Sequence, residues 1–123
     1  VTGLLVLWIG AAVGAPARYL TDRAVQARHD SVLPWGTLTV NVVGSLVLGL
    51  LTGLAAHHAV PHALTLALGT GFCGALTTYS TFSYETMRLV ESRSYLVAGA
   101  NVAGSLVAGM LAAGAGYLAG MGL

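Results

Sequence analysis

The sequence contains no lysine, and of its 123 residues only five are arginine and four are aspartate or glutamate. A charged fraction of 7% lies far below the roughly 25% of an average soluble domain, and a net charge of +1 argues against a nucleic-acid partner, which calls for a basic face. The single cysteine, Cys73, excludes an intrachain disulfide and reads as a small apolar filler within a helix. The four histidines, His29, His57, His58 and His62, stand at expected loop positions without acidic or cysteine partners at ligand spacing. They read as solvated or interfacial rather than metal-binding. Ser80 and Ser83 have no intramembrane histidine or lysine nearby to act as a base, and no paired carboxylates occur, so no enzyme is expected.

What the chain has instead is apolar mass: 56% hydrophobic residues and a mean hydropathy of +0.81, the composition of a multi-pass protein of the cell membrane. At about 20 residues per span, 123 residues accommodate at most four transmembrane helices, a single all-α domain over 1–123. Four apolar stretches separate, at about Leu4 to Tyr19, Gly36 to Ala56, Ala63 to Leu89 and Tyr95 to Gly120. A polar linker (Thr21 to Pro34), a histidine-bearing turn (His57 to His62) and a turn from Arg88 to Ser94 divide them. The run ending Gly14-Ala15-Pro16-Ala17 has a signal-peptide look, but no positive segment precedes it, and it reads as the first span. Arg18, Arg23, Arg28, Arg88 and Arg93 all fall toward the first and third connections. The positive-inside rule makes that side cytoplasmic and places both termini outside.

Gly10/Gly14, Gly49/Gly53 and Gly116/Gly120 have small-xxx-small spacing, which lets helix backbones approach closely where lipid supplies no hydrophobic force between helices. An internal repeat is also present: Asn41-Val42-Val43-Gly44-Ser45 returns as Asn101-Val102-Ala103-Gly104-Ser105. With four spans the second and fourth helices run the same way, a parallel repeat of one helix type. Asn41 and Ser45 share one face, as do Asn101 and Ser105. Asn101 and Ser105 fit interhelical hydrogen bonding and pore lining equally well, whereas Asn41 can face a second polar segment on the third span.

That segment is Gly71-Phe72-Cys73-Gly74-Ala75-Leu76-Thr77-Thr78-Tyr79-Ser80-Thr81-Phe82-Ser83-Tyr84-Glu85, a hydroxyl-rich run flanked by helix-weakening glycines. Irregular backbone survives at bilayer depth only where protein or a water-filled path covers it. A break in the third helix is therefore expected here, with carbonyls exposed on one half and N–H groups on the other. The stretch has no cationic side chain, so an anion would be held by amide, hydroxyl and aromatic-edge donors, and a cation by backbone carbonyls. Tyr79 and Phe82 share a face; they read either as ordinary aromatic packing or as rings whose positive edges attract an anion without trapping it. Glu85 reads either as a proton-coupled carboxylate or as an interfacial partner for arginine.

Over nearly the whole chain these motifs resemble the small four-helix fluoride channels of the Fluc or CrcB family. The matching runs are Gly10 to Tyr19, Gly36 to Ser45 and, most specifically, Gly71 to Glu85. The resemblance implies a passive, fluoride-selective channel assembled as an antiparallel, inverted dimer with two fluoride pathways and a central structural sodium ion. It places Asn41, Tyr79, Ser80, Thr81 and Phe82 along the pore, with Ser105 extending the path and Arg18 in the vestibule. Backbone carbonyls of Gly74 and Thr77 would hold the sodium. The chain departs from the family pattern at Tyr79, where phenylalanine is usual; the phenol keeps the positive ring edge and adds a hydroxyl. The inverted partner is the chain itself or, since its one-sided arginines suggest a subunit of preferred orientation, an oppositely oriented paralogue. Two other readings of the residues are a proton-coupled exporter, for which Glu85 is the candidate carboxylate, and a non-transporting membrane assembly subunit.

Overall fold

A computed structural model describes residues 2–28 and 33–122, and among them the only regular structure is helical. Helix α1 spans Thr2–Gln26, α2 spans Trp35–His57 and α5 spans Tyr95–Gly122. Each of these three is long and apolar enough to cross a membrane. The third crossing is in two pieces. Its first piece, α3, covers 62–76 as His62–Leu64, a π-helical stretch Thr65–Cys73 and the turn Gly74–Leu76. After the non-helical residues 77–79 comes α4, Ser80–Glu91.

The expected four-helix arrangement and the interruption in the third helix are therefore present, with two differences of detail. Helix α1 continues past Tyr19 to Gln26, because Arg23 reaches back four residues to the Tyr19 hydroxyl at 2.9 Å and stacks on its ring, an i,i+4 pair that supports helix. His57 closes α2 and His62 opens α3, so both stand at helix ends rather than in the turn between them. His57 meets the ring of Tyr117 edge-on. His29 lies outside the described residues.

Burial is inverted relative to a soluble protein. The apolar core is limited to small and medium side chains such as Val40, Leu51, Leu76 and Ala98, while Trp8, Ile9, Leu96 and Met110 point outward. In lipid nothing drives such side chains inside, and close van der Waals packing holds the helices together. Glycine provides it. A Cβ on Gly49 or Gly53 would strike the carbonyl oxygens of Ala113 or Tyr117, and one on Gly116 or Gly120 those of Leu46 or Leu50. Positions on α2 and α5 rise together, so the two helices run parallel, as expected for the second and fourth of four spans, and they form the most extensive helix pair in the fold. Helix α1 packs in the same manner on α3: Gly10 and Gly14 lie against the backbone oxygens of Ala67 and Phe72, and Gly71 against that of Leu7. This intimate contact coincides with the π-helical stretch. The wider π turn was not anticipated from the sequence.

Both arginine-bearing connections lie at one end of the molecule. Gln26 and Pro34, which flank the first, line a polar groove with Glu85, Arg88 and Ser92 from around the last.

Candidate functional site

The helix of the third span stops at Thr77, whose backbone is extended (φ −77°, ψ 159°). The glycines expected to weaken the helix are not the break itself: Gly71 lies in the π-helical stretch and Gly74 begins another helical turn. What substitutes for helix at the break is a side chain from α2. Asn41 Oδ1 accepts the Thr78 N–H at 2.8 Å, and Asn41 Nδ2 donates to the Thr78 carbonyl at 3.1 Å. One amide thus satisfies both backbone groups of a residue that has left the helix, which the bilayer interior demands. The second Nδ2 hydrogen remains for another acceptor.

Helix α4 restarts under a cap. Thr78 Oγ1 accepts the Thr81 N–H at 3.1 Å, doing for the new helix what a capping hydroxyl does elsewhere. These substitutions release two carbonyls. In an unbroken helix the Gly74 oxygen would accept from Thr78 N–H and the Thr77 oxygen from Thr81 N–H, but Asn41 and the Thr78 hydroxyl take those donors. The two carbonyls expected to hold a cation, those of Gly74 and Thr77, are among those that the break leaves without their helical donors. As neutral oxygen donors they suit a hard monovalent ion.

Beside the break lies an open groove of about 390 Å³. Asn41, Gly74, Thr77, Tyr79, Phe82 and Ser105 all reach it. The rings of Tyr79 and Phe82 stand 6.1 Å apart, tilted by 41°, and Tyr79 is 81% exposed. Among the described residues no charged side chain lines this groove. Its polar lining consists of an amide, hydroxyls and backbone, its apolar lining of aliphatic and aromatic side chains.

Three expected site residues are not brought to the groove. Ser80 and Thr81 are exposed on the first turn of α4, and Arg18 is half-buried on α1, lining neither groove. Conversely, Thr78 and Ser45 belong to the site although the sequence reading did not assign them to it. The signal for Ser45 was its place one turn from Asn41 on the same face. For Thr78 it was the adjacent Thr77-Thr78 pair, in which either residue could have met the asparagine.

The repeat asparagines play related roles. Asn101, buried, donates to Thr86 Oγ1 at 2.9 Å and so joins α5 to α4, while Ser105, one turn on, lines the groove. Of the two uses that the sequence left open, Asn101 takes the hydrogen-bonding one and Ser105 lies where it can take the other. Glu85 accepts a hydrogen bond from the Thr37 hydroxyl of α2, a partner not foreseen for it. Arg88 instead reaches the Tyr84 hydroxyl at 3.1 Å and stacks on that ring.

A family model described as CrcB-like protein, Camphor Resistance (CrcB), matches residues 5–117. The chain is 65% identical over 98 residues to the fluoride-specific ion channel FluC 1 of Streptomyces avermitilis, covering 79% of this chain and 78% of that protein. Its identity to the fluoride-specific ion channel FluC 1 of Frankia casuarinae is 59% over 103 residues, 80% of each chain. With the fluoride-specific ion channel FluC 2 of Mycobacterium tuberculosis it is 44% over 102 residues, covering 80% and 78%.

Proposed function

The chain belongs to the CrcB family, and from that premise we propose that it is a passive, fluoride-selective channel of the cell membrane, exporting fluoride along the groove beside the break. The observation that carries the reading is the Asn41 clamp on Thr78 at the edge of an uncharged, donor-lined groove that also holds the Tyr79 and Phe82 rings.

Fluoride is small and strongly hydrated, so a narrow path must replace its water with close donors. The free Nδ2 hydrogen of Asn41, the Ser45 and Ser105 hydroxyls and the ring edges of Tyr79 and Phe82 are such donors. None carries a full positive charge, so binding is weak enough for the ion to leave, as conduction requires. Ser80, Thr81 and Arg18 serve the path only outside the groove of a single subunit. Passive flow is sufficient for export by a cell in an acidic medium, where neutral HF enters through lipid and dissociates inside. The exporter alternative rests on Glu85, which is off the groove and bonded to Thr37.

The groove is open on one side, and the neighbouring face of α5 carries Leu106 and Met110 outward, with Gly104 unobstructed. A second subunit in inverted orientation closes this face in the proposed assembly. The Gly74 and Thr77 carbonyls, together with their counterparts, would hold a sodium ion there, supplying a fixed positive charge that locks the subunits together. The inverted partner is a second copy of this chain or, if the concentration of arginines at one end fixes a single orientation, an oppositely oriented paralogue. Topology tags that report both termini on both sides in comparable amounts would contradict the single orientation.

Electrode-detected fluoride efflux from liposomes holding this protein alone, with chloride as control, tests the channel reading. Selective fluoride release is expected. Absence of release from folded protein, both alone and co-expressed with a paralogue, would overturn it.

A further inference from the structure

Leu89 is the one buried residue of α4, so apolar packing alone cannot set how this short helix is rotated. Hydrogen bonds do that. Thr78 caps its start, Glu85 ties it to Thr37 of α2, and Thr86 ties it to Asn101 of α5. The last tie reaches the aromatic pair. Asn101, 3% exposed, donates to Thr86 Oγ1 at 2.9 Å, and that same hydroxyl donates to the Phe82 carbonyl at 2.8 Å. With its acceptor and donor roles both used, the hydroxyl is held in one orientation, and the backbone of Phe82 is linked through it to α5.

We propose that Asn101 is a positioning residue for the ion path: through Thr86 it sets where the Phe82 ring stands relative to Tyr79 and Ser105. The proposal rests on the channel reading above. It also gives the repeat a physical meaning. Asn41 and Asn101 occupy the same place in the repeated segment, and they grip the third span on either side of the aromatic pair, at Thr78 before Tyr79 and at Thr86 after Phe82. Two parallel helices thus present one motif to brace the two ends of one aromatic step.

The chain has only two phenylalanines, Phe72 and Phe82, so protein grown on fluorophenylalanine gives two ring signals by fluorine NMR, assigned with the F72L variant. In Asn101→Ala and Thr86→Val the Phe82 signal should shift or broaden while that of Phe72 stays, and fluoride efflux should slow about fivefold, the loss expected for one hydrogen bond. The double variant should be no slower than either single one. Thr86→Ser, which keeps the hydroxyl, should restore both signal and rate. An unmoved Phe82 signal, efflux losses that add, or unchanged efflux with a displaced ring would each overturn the proposal. Failure of the wild-type protein to carry fluoride would count against the channel reading, while the Phe82 signal would still decide the positioning.

Discussion

Residues 62–76 and 80–91 are the two halves of the broken third helix, yet α3 meets α1 backbone to backbone over Gly10, Gly14 and Gly71, whereas α4 is tied to α2 and α5 by the side chains of Thr37 and Asn101. The contact between α1 and α3 leaves almost no space for an ion. The arrangement of α4 leaves faces open and fills the gap with hydrogen-bonding groups. The difference separates two tasks: glycine packing makes a rigid frame without burying polar side chains, and the hydrogen-bonded half carries Phe82 to the groove proposed as the fluoride path.

The frame should be the more sensitive to bulk. Gly116→Leu would drive a side chain into the Leu46 backbone, an overpacking that costs about 1–3 kcal/mol even where neighbours can relax. Here the neighbour is main chain. Loss of the monodisperse peak on size-exclusion chromatography is expected, and a well-folded variant would break the distinction. In the hydrogen-bonded half, Phe82→Leu should leave folding intact and slow fluoride efflux about tenfold, since a ring-edge contribution is worth about 0.5–1.5 kcal/mol. Unchanged flux with normal assembly would remove the ring from the site.

A smaller effect is expected from Thr37→Val, which unties Glu85 from α2 while Asn101 still holds α4. Efflux about threefold slower, without change in chloride exclusion, is the outcome in keeping with loss of one of several hydrogen bonds. Gly99 lies in open space within a subunit, with nothing within 4 Å of an added Cβ. Gly99→Ala should therefore leave both stability and flux within about twofold of wild type. A large loss there would show that another chain covers this face.

The frame was the more legible half. Glycine spacing on α1, α2 and α5 marked the contacts that the structure makes, and the count of four spans gave the parallel course of α2 and α5. The break was legible in kind but not in place. Gly71 and Gly74 drew attention as helix breakers, yet the helix ends at Thr77 because a side chain far upstream, Asn41, offers the Thr78 backbone both a donor and an acceptor. No local pattern encodes such a partner. The same holds for Glu85, whose hydroxyl donor Thr37 lies on a different helix. The π-helical stretch escaped because its contacts come from α1. Ser80 and Thr81 belong to the hydroxyl-rich run, and within one subunit they are exposed and do not line the groove.

The central claim is that the break gripped by Asn41 is where the ion is handled. Fluoride efflux from liposomes bearing Asn41→Asp, matched to wild type in amount and in size-exclusion profile, tests it most directly. The carboxylate removes the donor to the Thr78 carbonyl and sets a like charge in the path, so efflux should fall to the level of protein-free lipid. Efflux at the wild-type rate from a folded Asn41→Asp protein would place the fluoride path elsewhere.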